Sequence, residues 1–369
     1  MPRLIRICAL LCAMYSASCQ VRSDCAGHDT SCSLAAALLA YPRTPTSRFA
    51  YVTNDTAGTI SMFRVERTGL LTSLGTLPAG ANPQGATVHP DGSHLYVANA
   101  PASGFVSIYE IDRQYGVLGL IQTIPAGTNT TAVSIAPNQS YAYAANFNSN
   151  NFSAYALDQP TGRLSFLSTT AAGTRPKDLT FDPTGRFAFA PNNSTADISV
   201  YTLASNGTLV ANGANAPSVA SPRSFVVHPN GNFGYCGSFG AGTIRIFSLS
   251  QSTGLLTFVM DQAAGTALEG LLISPDGRFL FAADQGGSNL LVLLINQVSG
   301  SLTPAFTVPA GTNPVGIAMD SSSQFLYTAN LTSGNVSIFK IESNGNPVLL
   351  ANALAGSGAT DIALASYWY

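Results

Sequence analysis

The stretch "RFAYVTNDTAGTISMF", residues 48–63, contains the motif that decides the fold. At its centre, Tyr51 to Asn54 alternate larger and smaller side chains and then end on a turn-forming residue. Six similar motifs follow, and the seven begin at Tyr51, Tyr96, Tyr143, Phe189, Tyr235, Phe281 and Tyr327. Successive motifs start 45 to 47 residues apart. A repeat of this length with strand-like content is typical of β-propeller blades.

A second marker, a glycine that follows a polar residue and precedes apolar ones, recurs with the same period. The seven copies are Gly69, Gly116, Gly162, Gly207, Gly254, Gly300 and Gly345. One period then reads as four short strands, at residues 85–89, 93–98, 106–111 and 118–124. Pro90-Asp91-Gly92 predicts a tight turn between the first two, because proline fixes φ and glycine accepts positive φ.

The two ends of the chain predict how the propeller closes. The first motif lacks the inner strand that precedes the other six, whereas "GATDIALASYWY", residues 358–369, is such a strand without a successor. We therefore expect residues 359–366 to pair with residues 49–53, which would remove two exposed sheet edges. The predicted fold is all-β, a seven-bladed β-propeller of four-stranded antiparallel blades over residues 48–369. Pairing of the C-terminal strand with the N-terminal blade closes it.

The first 18 residues are typical of an export signal. Arg3 and Arg6 precede an apolar run too short to span a bilayer, which ends among small residues; a buried N-terminal helix is the alternative. Lipidation at Cys19 and ordinary cleavage both remain open, and residues 19–47 read as a tether. The predicted location is therefore outside the cytoplasm, in the periplasm, the cell envelope or the medium. Membrane contact is expected only through such a lipid anchor.

Charge and cysteine content limit the partners. Only 9% of residues are charged and the net charge is −2, so we expect no nucleic-acid partner and predict a monomer. Export would permit a disulfide between Cys25 and Cys32, and Cys236 is predicted to be a buried apolar residue. No Cys/His spacing predicts a metal site, and no glycine loop that cradles phosphate precedes a helix. The sequence therefore predicts no cofactor.

Polar residues are predicted to gather at one end of the channel. Because strands alternate in direction within a blade, the loops after the motifs and before the inner strands share one face, the mouth. The residues predicted there at the starts of inner strands are Lys177, Asp178, Arg223, Ser224, Glu269 and Asp361, and Thr130 is assigned to the equivalent position in its blade. Asp55 and Asp284, at the ends of motif strands, are predicted to lie at the mouth as well. Two interpretations are open. These residues form a pocket for a small anionic or hydroxylated ligand, or they only pair with one another and with water in the channel.

Other polar residues have simpler interpretations. The asparagines that end the motifs are expected to bond to nearby backbone, since asparagine favours such turns. His28 falls in the tether, and His89, His94 and His228 lie beside the turns of the opposite face. A histidine base, and hence a Ser/His/Asp set, is therefore not expected at the mouth.

The repeats "HPDGSHLYVAN", residues 89–99, and "SPDGRFLFAAD", residues 274–284, resemble the YVTN-repeat proteins and the seven-bladed propeller lactonase family. That family includes 6-phosphogluconolactonases and fungal muconate-lactonising enzymes. The resemblance implies a lactonase site with Arg-His at the start of an inner strand and Asn-Glu after a motif strand. Here Arg223 keeps the arginine, but Ser224 replaces the histidine, and Ser238-Phe239 stand in place of Asn-Glu.

Two functional hypotheses follow. In the first, an exported propeller binds a small ligand or an envelope protein at its mouth without catalysis, which the missing histidine and the low charge favour. In the second, the chain hydrolyses a lactone: Glu269 or Asp178 activates water, while Arg223 and Lys177 stabilise the developing oxyanion.

Overall fold

The computed structural model describes residues 46–367, in which every regular element is a β-strand. The first three blades contain β1 (Thr46–Asn54), β2 (Thr59–Val65), β3 (Leu71–Pro78); β4 (Pro83–Val88), β5 (His94–Asn99), β6 (Phe105–Ile111), β7 (Leu118–Pro125); and β8 (Thr130–Ile135), β9 (Tyr141–Asn146), β10 (Asn151–Asp158), β11 (Arg163–Ala171). The fourth and fifth contain β12 (Thr180–Phe181), β13 (Phe187–Asn192), β14 (Asp197–Leu203), β15 (Leu209–Ala211), β16 (Ala216–Pro217); and β17 (Pro222–Val227), β18 (Phe233–Ser238), β19 (Thr243–Leu249), β20 (Leu256–Ala263). The last two contain β21 (Leu268–Ile273), β22 (Phe279–Asp284), β23 (Asn289–Ile295), β24 (Leu302–Pro309); and β25 (Pro314–Met319), β26 (Phe325–Asn330), β27 (Asn335–Ile341), β28 (Pro347–Leu354), after which β29 (Ala359–Tyr367) returns to the first blade.

Each blade is an antiparallel sheet whose strands follow one another from the channel outward. Neighbouring inner strands touch, with β25 against β29 and β29 against β4 joining the two ends of the described chain. The seven-bladed propeller predicted from the repeats is confirmed. No helix within residues 46–367 is of the kind that could cross a membrane.

The closure of the ring is also confirmed. Strand β29 pairs antiparallel with β1 and places Ile362 opposite Val52. Strand β1 begins at Thr46, two residues before the predicted start of the propeller, because its partner continues to Tyr367 and supplies pairing there. The proposed signal at residues 1–18, Cys19 and the Cys25–Cys32 pair lie outside the described residues, as does most of the proposed tether.

The two sequence markers meet between blades. The hydroxyl of Tyr51 donates to the carbonyl oxygen of Gly116 in the next blade, at 3.0 Å. Equivalent bonds of 2.7 to 3.0 Å join Tyr96 to Gly162, Tyr143 to Gly207, Tyr235 to Gly300 and Tyr327 to Gly69. Gly116 has a φ of 73°, and a Cβ there would lie 2.2 Å from the ring of Phe49. Both markers therefore recur because each blade docks against its neighbour through them.

The polar residue that ends each motif strand holds its own blade together, as Asn54 shows. Its Nδ2 donates to Thr59 Oγ1 at 3.0 Å and to Ser61 Oγ at 2.9 Å, and its Oδ1 accepts from the Gly356 amide at 3.0 Å. Asn54 is fully buried, so these bonds offset its desolvation. Cys236 is likewise fully buried, as predicted.

The fourth blade departs from the regular pattern at its outer edge. There the predicted outer strand is divided into β15 and β16, which both pair with β14. Residues 212–215 separate the two pieces and include Gly213, which has a φ of 76°. The turn-forming sequence Asn-Gly-Ala-Asn at this point accounts for the break.

Candidate functional site

The inner strands are irregular where they begin at the mouth. In the second blade the pairing register shifts between Pro83 and Ala86, and the third, fifth, sixth and seventh blades have similar shifts at the same place. The fourth blade goes further: Pro176 forms an isolated bridge, and β12 begins only at Thr180. Bulges of this kind redirect side chains. The residues at the start of each inner strand therefore face the channel.

These residues enclose a cavity of about 280 Å³ at the mouth. Six of the predicted site residues line it, namely Lys177, Asp178, Arg223, Ser224, Glu269 and Asp361. Uncharged polar side chains complete the lining, among them Gln84, Thr131 and Thr360. Since one water molecule occupies about 30 Å³ of liquid, the cavity has room for several waters or for one sugar-sized molecule.

Three other predicted residues lie elsewhere. Asp284 accepts hydrogen bonds from the amides of Thr266 and Ala267 at 3.0 and 2.9 Å, so it does in the sixth blade what Asn54 does in the first. Asp55 lies at the rim beside Gln84, and burial raises the pKa of its carboxyl.

Thr130 was assigned to the mouth one residue out of register. It is buried and shares a hydrogen bond with Asn146, while Thr131 lines the cavity. Thr131 lies six residues before the turn at Pro137, the same interval that separates Lys177 from Pro183. The spacing from the turn proline therefore predicts Thr131, and not Thr130, at the mouth.

Arg223 and Glu269 come from neighbouring blades and face each other across the cavity wall. Arg223 Nε lies 3.6 Å from Glu269 Oε1, an ion-pair distance too long for a hydrogen bond. The guanidinium also stacks on the ring of Phe239, with its carbon 4.7 Å from the ring centroid. Nε is buried and has no hydrogen-bond acceptor among residues 46–367. The side chain as a whole is 21% exposed and lines the cavity, so a ligand can meet other parts of the guanidinium.

In the sequence, Phe239 is only a departure from the lactonase pattern. Its stacking on Arg223 could not be read from the sequence, because the contact depends on how the loop after β18 folds back over β17. The ring covers one face of the guanidinium.

The cavity lining includes two carboxyl groups whose charged forms are disfavoured, Asp178 and Asp361. Burial raises the pKa of Asp361 to about 6, and the charge of Asp178 adds to this, whereas hydrogen bonds from the Ala86 and Ile362 amides, both at 2.9 Å, oppose it. Burial also raises the pKa of Asp178, although it accepts hydrogen bonds from the Leu179 amide and Ser134. Both carboxyl groups therefore bond to a neighbouring blade as well as facing the cavity.

Lys177 lines the same cavity. Burial lowers the pKa of its ammonium, and the largest opposing influence is the negative charge of Glu269. Within the described part of the chain, no hydrogen bond or ion pair engages this ammonium. Lys177 and Arg223 therefore both present unsatisfied cationic donors to the same space.

Histidines lie away from the mouth. The Nδ1 of His89 is 2.8 Å from Asp91 Oδ1 in a turn of the opposite face, and His228 Nε2 is 2.9 Å from the Gly277 carbonyl oxygen. Residues 46–367 contain no group of three or more His, Cys, Asp or Glu side chains placed to hold a metal ion. The ionisable and hydroxyl side chains that line the cavity are those of Lys177, Arg223, Asp178, Asp361 and Glu269, with serine and threonine hydroxyls beside them.

Comparison with known proteins places this site in a family. The sequence model described as "Lactonase, 7-bladed beta-propeller" matches residues 26–133, 120–223 and 261–363, which together make up most of the chain. The chain belongs to this lactonase family. A search of curated proteins found no significant sequence match to this lactonase-family propeller.

Solved structures share the fold of this lactonase-family propeller. They include a protein from Lactobacillus plantarum, with a TM-score of 0.78 and 19% identity, and a candidate 6-phosphogluconolactonase from Bacteroides uniformis, with a TM-score of 0.78 and 21% identity. A periplasmic gluconolactonase from Pseudomonas aeruginosa has a TM-score of 0.76 and 20% identity. Each comparison covers 86% of this chain and 99% of the other. At such identities the likeness shows the fold alone.

Proposed function

We propose that this lactonase-family propeller is exported and binds a small anionic, hydroxylated molecule, of the size of a sugar acid, in the mouth cavity. The observation that carries the proposal is the guanidinium of Arg223, which lines a cavity of about 280 Å³ together with the ammonium of Lys177. A carboxylate is the natural partner for such a donor, since charge-assisted bonds to guanidinium groups are short and strong.

The rest of the lining suits the remainder of such a ligand. Lys177 adds a second cation, while Glu269 and the hydroxyls of Thr131 and Thr360 offer partners for ligand hydroxyl groups. A site with few, convergent polar groups can orient one small molecule and reject others. Export is supported by the residues that precede the propeller and agrees with the periplasmic location of the gluconolactonase from Pseudomonas aeruginosa.

The test is a binding screen by isothermal titration calorimetry with gluconate and with sorbitol, a neutral polyol of equal carbon number. We expect gluconate to bind with a Kd below about 1 mM and sorbitol to bind much more weakly. Arg223→Gln should abolish the difference. A wild-type protein that binds neither gluconate nor related aldonic and uronic acids would overturn the proposal.

Lactone hydrolysis is the second candidate, favoured by family membership and by the position of Glu269 beside Arg223. Glu269 would accept a proton from water as the oxygen attacks the lactone carbonyl carbon. Arg223 and Lys177 would stabilise the resulting oxyanion. The ring C–O bond then breaks, and the leaving alkoxide takes the proton from Glu269. Asp178 is less well placed to take this proton, because its Oδ1 already accepts hydrogen bonds from the Leu179 amide and the Ser134 hydroxyl.

A lactone assay separates the two candidates. Glucono-δ-lactone opening, followed by pH-stat at pH 6.5 against buffer alone, shows no added rate if the protein only binds. A rate above buffer that disappears in Glu269→Gln would establish hydrolysis.

A further inference from the structure

One residue of the mouth rim has a side chain that its backbone conformation disfavours. In six blades, the residue two places before the first cavity-lining residue of the inner strand has positive φ. These residues are Asn82 at 51°, Asn129 at 57°, Arg175 at 62°, Ser221 at 52°, Asn313 at 57° and Gly358 at 76°. Asparagine and glycine tolerate this left-handed region, whereas a long side chain does so at a cost. Ser221 has a short side chain, so Arg175 is the one long side chain among these six residues.

The backbone around Arg175 is held on both sides. Its amide donates to Asn150 Oδ1 at 2.9 Å, and its carbonyl accepts from the amide of Asn193 at 2.9 Å. The guanidinium carbon lies 5.5 Å from the ring centroid of Phe147, which follows β9 in the preceding blade. The side chain is therefore positioned by a neighbouring aromatic ring instead of by an ion pair.

The edge of this guanidinium remains available. Arg175 is exposed, and no acceptor or carboxylate in residues 46–367 engages its side chain. A guanidinium stacked on a ring keeps its N–H groups in the plane of the stack, where a carboxylate can bind two of them.

Arg175 lies close to the mouth cavity. It is two residues before Lys177, so their Cα atoms are at most about 7 Å apart. The Arg175 side chain therefore begins at the rim, next to a residue that lines the cavity. A ligand held by Lys177 and Arg223 at one end could therefore present its other end to Arg175.

We propose that Arg175 and Phe147 form an outer subsite for a second carboxylate, so that the preferred ligand is a dicarboxylic sugar acid. The inference rests on the proposed function, because it assumes that the first carboxylate occupies the cavity. One guanidinium carries one positive charge and matches one additional carboxylate.

The test compares glucarate with gluconate, which have the same carbon chain and differ in one terminal carboxylate. Isothermal titration calorimetry at pH 7.5 should give a Kd for glucarate about five- to tenfold lower than that for gluconate in the wild-type protein. In Arg175→Asn, which places at this position the residue that three other blades carry, the ratio should fall to about one. In the matched control Arg67→Asn, an exposed arginine in a turn of the opposite face, the ratio should remain as in the wild type.

The outcomes are distinct. If neither acid binds the wild type, the proposed function is wrong and this inference is wrong with it. If both acids bind the wild type equally, or if Arg175→Asn keeps the preference, the cavity site stands and the outer subsite is wrong. Arg175→Asn should also leave the melting temperature unchanged or raised, since asparagine suits the backbone. A clear fall would mean that Arg175 is structural and would overturn the proposal.

Discussion

The hydroxyl of Tyr327 in the seventh blade donates a hydrogen bond of 2.9 Å to the carbonyl oxygen of Gly69 in the first. The two residues are 258 positions apart, and the bond lies at the junction where the chain closes on itself. The same tyrosine-to-glycine bond joins neighbouring blades elsewhere, so the junction is built like the other interfaces.

Tyr327→Phe should therefore lower the free energy of unfolding by about 1 kcal/mol, because the buried Gly69 carbonyl loses its donor. The change should leave the packing intact, since the fourth and sixth blades carry Phe189 and Phe281 at this position. Urea denaturation measures the effect. Tyr115→Phe is the control, because Tyr115 is exposed and its hydroxyl reaches water. Equal effects of the two substitutions would show that the Tyr327 bond contributes nothing.

Arg223→Gln should weaken gluconate binding about tenfold or more, because the charged donor of the cavity is removed. Arg245→Gln is a matched control, since Arg245 already pairs with Asp261 at 2.7 Å and does not line the cavity. Calorimetric titration gives both affinities. Similar losses in the two variants would mean that general charge, and not the site, holds the ligand.

Glu269→Gln distinguishes binding from catalysis. If the protein only binds, removing this negative charge beside Arg223 should keep or increase its affinity for gluconate. If the protein hydrolyses lactones, the same change should reduce turnover by about 10²–10⁴-fold, since the general base is lost. Measuring the affinity and the turnover rate of the one variant decides between them.

Ligand affinity should depend on pH through Asp361, whose pKa burial raises to about 6. Protonation of this carboxyl removes a negative charge from the cavity, while gluconate stays ionised because its own pKa lies well below. Gluconate should therefore bind more tightly at pH 5 than at pH 7.5, and Asp361→Asn should flatten this dependence. A wild-type affinity that is constant over this range would exclude Asp361 from the site.

The same raised pKa affects stability with a defined sign. Because the folded protein holds the Asp361 proton more tightly than the unfolded chain does, the associated stabilisation is fully present below the ordinary pKa of 3.8 and is lost as pH rises through about 6. Its size is at most about 3 kcal/mol, and water in the channel reduces it. The check is the denaturation midpoint of the wild type and of Asp361→Asn, measured between pH 4 and pH 7. Plotted against pH, the midpoints of the two proteins should have different slopes.

Gly270→Ala should destabilise the protein by about 1–3 kcal/mol, because a Cβ there would lie 2.4 Å from the carbonyl oxygen of Val315 in the next blade. The strand next to the mouth would have to move, so gluconate affinity should fall as well. Gly119→Ala, in an outer strand with nothing within 4 Å of the added Cβ, should be neutral. Thermal unfolding of both variants provides the comparison, and equal melting temperatures would contradict the close approach of the two blades.

The sequence alone determined the architecture, including the number of blades and the closure by residues 359–366. These features follow from repetition: each motif strand buries the same face against a neighbour, so the spacing of Tyr51, Tyr96 and their counterparts reports the fold directly. The mouth residues could be assigned as well, because strand direction alternates within every blade. The assignment is wrong by one residue only in the third blade, because Thr130 and Thr131 are adjacent identical residues and only Thr131 lines the cavity.

Tertiary structure decided which of those residues act together. The sequence predicts both Asp284 and Glu269 at the mouth. In the structure Asp284 accepts hydrogen bonds from backbone amides, whereas Glu269 Oε1 lies 3.6 Å from Arg223 Nε. The stacking of Phe239 and the open edge of Arg175 were likewise invisible in the sequence. Periodicity records what every blade does, whereas a site arises from side chains that differ between blades, and their distances are set only when the ring closes.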